Sequence, residues 1–170
     1  MTIKLIGAFF VILGCGGFGF LVAHNVRKET MCLRQFIIAL DYMECELNYR
    51  LTPLPQLCTM TATVVTGPIQ QYFVFLAEEL KNQTAFSAQM CALAAMDRCT
   101  SIPASICRNI EVLAHSLGTF DIAGQLKSIR VINEECKRAL ELISQDQGPK
   151  LRSYKTLALC AGAALVILFI

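Results

Sequence analysis

The chain has 170 residues but no tryptophan and only two histidines. A zinc site or a catalytic triad would need one of those histidines beside suitable partners. His24 stands at the end of an apolar run, and Glu111 lies four residues before His115, which is an ordinary pair on a helix surface. The chain also lacks a GxxxxGK[ST] motif, and we expect no phosphate-binding glycine loop. We therefore expect no catalytic residue, no cofactor and no enzymatic activity.

Cysteine is frequent, but the pattern of a disulfide scaffold or a zinc site is missing. The nine cysteines are an odd number, and no two of them form a CxxC pair. A disulfide framework favours an even set, and structural zinc favours close pairs. We expect buried free thiols in a reducing compartment, without metal. The net charge of only +2 also argues against a nucleic-acid partner.

Charge is almost absent from the two ends of the sequence. Leu5–Ala23 holds 19 uncharged residues, about 28 Å of helix, which matches one bilayer core. A cleaved signal peptide and a lipoprotein signal ending at Cys15 are the alternatives. Thr156–Ile170 is a second apolar run of only about 22 Å, so a buried core helix competes with a second membrane helix. The basic collar Lys150, Arg152 and Lys155 favours the membrane helix.

These runs predict three segments: a transmembrane helix at residues 1–25, a helical domain at 26–153, and a transmembrane helix at 154–170. The lipid bilayer is then one partner of the chain. All 13 acidic residues and 14 of the 15 basic residues lie between residues 24 and 155. The positive-inside rule places this middle segment in the cytoplasm.

The middle segment predicts helices throughout and no strand. Apolar residues recur at helical spacing on the first helix, for example at Leu33, Phe36 and Leu40, and Pro53 ends that helix. Thr52 is the expected N-cap of the next helix, and Thr119 or Asp121 that of the last. Gly148-Pro149 is expected to break or kink the last helix. The fold class is all-α, an antiparallel bundle of about six helices with short connections.

Two clusters of polar and turn residues lie at helix junctions. The first contains Glu46, Tyr49, Thr52, Pro53 and Leu54, and the second contains Leu117, Gly118, Asp121 and Gln125. Spacings of three and four residues place Glu46 with Tyr49, and Asp121 with Gln125, on one helix face each. Because the first and last helices of the domain both continue into apolar runs, we expect them side by side. The two polar pairs then meet, either as an internal clasp or as a surface for a partner protein.

In their order and spacing these clusters resemble the stage III sporulation protein AB family. The first matches the pattern E-[IL]-x-Y-x-x-T-P-L, and the second matches L-G-x-x-D-x-x-x-Q. The resemblance extends over almost the whole chain, including the approach Lys150-Leu151 to the final apolar run. Two departures are the missing tryptophan and Gly148-Pro149, where the family implies a more continuous helix.

The resemblance implies a function that spacing alone does not show. The family is similar to the platform protein F of type II secretion, and it belongs to a channel or feeding-tube complex between mother cell and forespore. The chain is then a two-pass protein of the mother-cell membrane facing the forespore. Its implied partners are the ATPase stage III sporulation protein AA and other membrane proteins of the complex, and homo-oligomerisation is left open. The alternatives are a platform protein of a secretion or pilus system outside sporulation, a small membrane enzyme and an ion channel.

Overall fold

The computed structural model describes residues 2–82, 87–117 and 121–169, and it describes side chains in residues 26–82, 87–117 and 121–145. Within these ranges the chain forms six helices and no strand. The helices are α1 (Thr2–Tyr49), α2 (Leu54–Val64), α3 (Pro68–Asn82), α4 (Ala88–Asp97), α5 (Ala104–Ser116) and α6 (Ile122–Phe169). The prediction of an all-α fold with six helices is confirmed.

The chain divides into two compact units. Residues 1–29 and 141–170 form one unit, and residues 30–140 form the other. The side chains of the two apolar runs lie outside the described residues, so the expected transmembrane helices and the division at residues 25 and 153 stay predictions. In the part of the chain that the structure describes, no helix has both the length and the apolar character needed to cross a membrane.

The core of the unit at residues 30–140 is built by the helix faces that the periodicity predicts. On α1, the whole predicted stripe is buried: Leu33, Phe36, Ile37, Leu40, Met43 and Leu47. On α3, Tyr72 and Phe73 are fully buried and pack edge to face with ring centroids 5.2 Å apart. Burying a large apolar side chain contributes about 1.5–3 kcal/mol. Burial of this stripe therefore contributes to the stabilisation that offsets the ordering of these helices.

The short helices begin and end close to the predicted punctuation. Pro53 and Pro103 occupy the N-cap positions of α2 and α5. Gly67, with φ of 70°, provides the left-handed residue between α2 and α3. The carbonyl of Leu113 accepts the N–H of Leu117, where α5 ends. Short connections of this kind make successive helices pack on one another, as α2 on α3, α3 on α4 and α4 on α5 do.

The last helix does not break at Gly148-Pro149, because α6 continues to Phe169, whereas the kink expected as the alternative stays a prediction. Proline inside a helix removes one backbone hydrogen bond at a cost of about 3 kcal/mol. A helix of 48 residues retains many other bonds and absorbs that loss. The continuous helix agrees with what the family resemblance implies at this position.

Helices α1 and α6 lie side by side and antiparallel, as predicted. Arg130 donates to Glu44 over 2.6 Å, and Asn133 donates to Asp41 over 2.6 Å. The step from Glu44 back to Asp41 on α1 therefore matches the step from Arg130 forward to Asn133 on α6, as in an antiparallel pair. Lys137, one turn beyond Asn133, also reaches Asp41 at 3.2 Å. These contacts fix the register of the two helices within the unit at residues 30–140.

Candidate functional site

The junction of α1 and α2 is a tight corner with one strained residue. The N–H of Arg50 donates to the carbonyl of Glu46 over 2.9 Å and closes the last turn of α1. Leu51 then adopts φ of 50°, the left-handed conformation that usually belongs to glycine after a helix. For a residue with a branched side chain this conformation costs about 1–2 kcal/mol. Contacts around the corner must therefore hold it in place.

Glu46 supplies those contacts. It is only 7% exposed, and its carboxylate accepts a hydrogen bond of 3.1 Å from the hydroxyl of Thr52. Arg50 forms an ion pair with the same carboxylate at 3.4 Å. Partial desolvation, together with the neighbouring and hydrogen-bonded Glu46, raises the pKa of Tyr42. Three side chains on both sides of Leu51 thus converge on one carboxylate.

The prediction that Thr52 caps α2 is wrong. The helix begins at Leu54, and Pro53 is the N-cap, with its carbonyl accepting the N–H of Leu57 over 2.9 Å. An N-cap residue has extended backbone angles, and proline fits them with φ of −57° and ψ of 141°. Thr52 precedes the cap by one residue. Its hydroxyl turns back to Glu46 instead of forward to the helix.

Glu46 and Tyr49, which lie three residues apart on α1, differ in burial. Glu46 is buried, whereas Tyr49 is 84% exposed on the last turn of α1. The two side chains are separated by about 60° around the helix, and the boundary between core and solvent passes between them. Pro53 is exposed and Leu54 half-buried. The first cluster therefore contains a buried support, Glu46 with Thr52, and an exposed part led by Tyr49.

The second cluster also contains residues in different environments. Leu117 is buried in the core, Asp121 is exposed, and Gly118 and Thr119 lie outside the described residues. The carboxylate of Asp121 accepts the N–H of Gly124 over 3.0 Å, so the predicted cap of α6 is confirmed. Half-buried Gln125 donates its backbone N–H to the carbonyl of Asp121 over 2.9 Å. The first turn of α6 is therefore fixed by Asp121.

The two clusters lie at the same end of the α1–α6 pair, where α1 ends and α6 begins. The contact between Glu44 and Arg130 gives the register of the two helices. Five residues further along α1 and five residues back along α6, Tyr49 is level with Gln125, since both helices rise equally per residue. A direct contact between the two polar pairs stays a prediction.

The sequence analysis missed three residues that take part in this arrangement. Arg50 and Leu51 stand at unspecified positions of the first pattern, and Tyr42 lies one turn before Glu46. The position after a helix end is a signal for the left-handed conformation, but leucine there gives no such signal. Leu51 is 62% exposed, so the corner presents two large apolar side chains, Leu51 and Tyr49, to solvent.

The cysteines and acidic residues do not form a recognisable ligand set in the described part of the chain. No three His, Cys, Asp or Glu side chains there are grouped as metal ligands would be. The seven cysteines described are free thiols, and only Cys45 is exposed. Burial raises the pKa of Cys58 to about 12 and that of Cys136 to about 11. Such thiols remain protonated and unreactive at neutral pH. Cys15 and Cys160 lie outside the described side chains.

The first apolar run contains a glycine pattern that also occurs in nucleotide-binding proteins. Residues 14–19 have the spacing GxGxxG, which in dinucleotide-binding folds follows a strand and opens a helix. Here the segment lies inside the continuous helix α1, with no strand before it in the described residues. The structural context of a phosphate-binding loop is therefore missing, and the pattern carries no functional argument.

Comparison with known proteins identifies the chain's relatives. The family model described as stage III sporulation protein AB matches residues 4–170. The stage III sporulation protein AB of Bacillus subtilis (strain 168) is 24% identical over 168 residues, which cover 98% of each chain. A solved structure described as stage III sporulation protein AB shares the fold with a TM-score of 0.64 and 21% identity, covering 72% of this chain and 98% of the other. Since the family model extends over nearly the whole sequence, this chain belongs to the stage III sporulation protein AB family and has a role in sporulation.

Proposed function

We propose that this protein is a non-catalytic membrane component of the sporulation channel between mother cell and forespore, and that it is the platform on which the sporulation ATPase, stage III sporulation protein AA, docks. The observation that carries the proposal is the exposed corner after α1. Tyr49, Arg50 and Leu51 project from a turn whose conformation is supported by buried Glu46. We call these three residues the corner surface.

The chemistry of the corner surface is that of a protein-binding site. Tyrosine and arginine are, with tryptophan, the residues most enriched among those that dominate binding energy at interfaces. Tyr49 exposes an aromatic ring, and Leu51 exposes an apolar side chain on a strained backbone. Fixing these groups before binding lowers the conformational entropy lost on association. The corner thus has the rigidity and the side chains that a docking site needs.

The family and the sequence pattern support the location. The apolar runs at both ends of the chain predict two membrane helices, and the basic residues beside them predict that the middle segment faces the cytoplasm. The corner surface lies at the C-terminal end of α1. An ATPase in the mother-cell cytoplasm would reach it there. Membership of a sporulation family favours this setting over a free-standing secretion or pilus platform.

The test replaces Tyr49 by alanine in the full chain, purified in detergent. Because Tyr49 is exposed, Tyr49→Ala should leave the melting temperature within about 1 °C of the wild type. Affinity for the purified ATPase, measured by biolayer interferometry, should fall about tenfold or more, as for a central interface aromatic. Val112→Ala is the matched control, because Val112 is an exposed apolar residue on another helix, α5. Equal ATPase affinity for both variants would refute docking at the corner.

Two charge-neutral changes separate support from recognition. Glu46→Gln should lower the melting temperature and weaken ATPase binding only in proportion, since Glu46 is buried and contacts Thr52 and Arg50. Asp121→Asn retains a capping oxygen, so its stability should be nearly unchanged. If Asp121 contacts the ATPase, binding should be lost in this stable variant. Wild-type stability and binding in both variants would remove Glu46 and Asp121 from the site.

A further inference from the structure

Two residues of the described chain have a left-handed backbone, and they differ in type. Gly67 has φ of 70° between α2 and α3, and Leu51 has φ of 50° between α1 and α2. Glycine adopts this conformation without steric cost because it has no Cβ. Leucine does not, because its Cβ comes too close to the following carbonyl oxygen. One connection therefore meets this backbone requirement with a suitable residue, and the other meets it with an unsuitable one.

The corner after α1 does not need the side chain of Leu51 for its shape. The residues on either side, Arg50 and Thr52, both contact the buried carboxylate of Glu46, at 3.4 Å and 3.1 Å. The carbonyl of Glu46 also accepts the N–H of Arg50 over 2.9 Å. These contacts hold the turn from both sides of Leu51. Another residue at position 51 would be held in the same conformation, and glycine would adopt it with the least strain.

Packing in the core does not explain the leucine either. Leu51 is 62% exposed, so most of its apolar surface stays in water. Leu117 also follows a helix, but it is only 2% exposed and has an unstrained φ of −70°. Single exposed apolar residues are common on protein surfaces and by themselves indicate no function. Leu51 differs from them because its backbone is strained as well.

We propose that Leu51 is the specificity-determining residue of the corner surface, and that it inserts as an anchor into an apolar pocket of the protein that docks there. This inference rests on the proposed docking of the ATPase at the corner surface. Strain that brings little stability to the fold is typical of positions kept for function. The leucine stands on a tight turn and not along a flat helix face, so it fits a pocket better than a flat surface.

An apolar pocket selects the side chain at position 51 by its size and polarity. The favourable free energy of insertion grows with the apolar area removed from water. Methionine has nearly the volume of leucine and should be accepted, whereas glycine leaves the pocket unfilled. The contacts of Glu46 fix the backbone of Leu51 before binding, so little conformational entropy is lost when the side chain inserts.

Two substitutions measure the strain in the full chain, purified in detergent. Leu51→Gly removes the Cβ from a left-handed residue, so this variant should melt at or above the wild-type temperature. Gly67→Leu is the matched control, because it introduces the same strain where an added Cβ would meet no atom within 4 Å. Its melting temperature should fall by roughly 2–8 °C. If Leu51→Gly melts more than about 2 °C below the wild type, Leu51 stabilises the fold and the proposal is wrong.

Spore formation measures the function of the same variants. In the bacterium that encodes this chain, each variant replaces the wild-type gene, and heat-resistant spores are counted. Leu51→Gly should reduce the count at least about tenfold, as expected for loss of a dominant interface residue. Leu51→Met should stay within about twofold of the wild type. Gly67→Leu is strained but leaves the corner surface unchanged, so it should also sporulate normally. Wild-type counts for Leu51→Gly would overturn the proposal.

Affinity for the purified ATPase separates this inference from the proposed function. If Tyr49→Ala weakens ATPase binding but Leu51→Gly binds like the wild type, the ATPase docks at the corner and Leu51 is not its anchor. If Leu51→Gly is stable and lowers the spore count while neither variant changes ATPase affinity, docking of the ATPase at the corner is wrong. Leu51 is then the anchor for another protein, because a stable chain has lost its function through one exposed side chain.

Discussion

Replacing Thr52 by valine and by aspartate distinguishes a cap of α2 from a hydrogen-bond donor to Glu46. Valine preserves the shape of the side chain but removes the hydroxyl that donates to Glu46 over 3.1 Å. Aspartate is among the best N-cap residues, so it should preserve or raise stability if Thr52 caps α2. In the structure, however, Thr52→Asp would place a second carboxylate beside that of Glu46. The two roles therefore predict opposite orders of stability for the two variants.

The structure gives the size of each effect. A hydrogen bond to a charged acceptor contributes about 1.5–3 kcal/mol when buried. Thr52 is half-buried, so Thr52→Val should lose about 1.5 kcal/mol. Two carboxylates at about 4 Å repel by about 4 kcal/mol at an effective dielectric constant of 20, and solvent at the corner reduces this. Thr52→Asp should therefore be about 1–2 kcal/mol less stable than Thr52→Val.

Thermal unfolding of the full chain in detergent, followed by circular dichroism, measures both changes. A loss of 1 kcal/mol corresponds to roughly 2–4 °C for a chain of this size, so Thr52→Val should melt about 3–6 °C below the wild type. Thr59→Val is the control, because the Thr59 hydroxyl is exposed and donates only to its own helix at Pro55. A Thr52→Asp protein as stable as the wild type would refute the reasoning.

Three further predictions concern side chains away from the corner. Arg98 lies 4.0 Å from the centre of the Phe75 ring, so Arg98→Lys should lose about 0.5–1 kcal/mol of unfolding free energy in denaturant titrations. Burial holds the pKa of Cys58 at about 12, so between about pH 9 and 12 the folded chain retains a proton that the unfolded chain has lost. Stability should fall with rising pH in that window, and Cys58→Ala should remove about 1.4 kcal/mol per pH unit of the fall. In alkylation followed by mass spectrometry, exposed Cys45 should react at neutral pH, whereas Cys136, with a pKa of about 11, should react only after unfolding.

The positions of the helices could be predicted from this sequence because the spacing of the apolar residues and the positions of proline and glycine indicate the same helix boundaries. The apolar residues of α1 recur every three or four positions, and proline or glycine stands at the connections of the short helices. Thr52 shows where this logic fails. A threonine before a proline has both features of a helix start, but the pattern does not show which of the two is the cap. Proline limits the residue before it to extended angles, and here it takes the cap position itself.

The exposed and buried parts of the candidate site could not be separated from spacing alone. Glu46 and Tyr49 are three residues apart, which places them near each other on a helix. Whether both face solvent depends on where the neighbouring helices cover α1, and no local pattern contains that information. The left-handed Leu51 is hidden for a similar reason, because leucine adopts that conformation only when surrounding contacts impose it.

The register of α1 and α6 depends on contacts that the sequence does not reveal at all. Asn133 is 3% exposed and donates to Asp41, a residue 92 positions earlier in the chain. Its carbonyl oxygen has no partner among the described residues, and burying such a group is unfavourable. An apolar residue at position 133 would avoid that cost, but it would also allow the two helices to slide. A slip of one turn would move Asn133 away from Asp41 and Arg130 away from Glu44 together. These polar pairs therefore specify one register, and the same register determines which residues of α6 lie level with Tyr49.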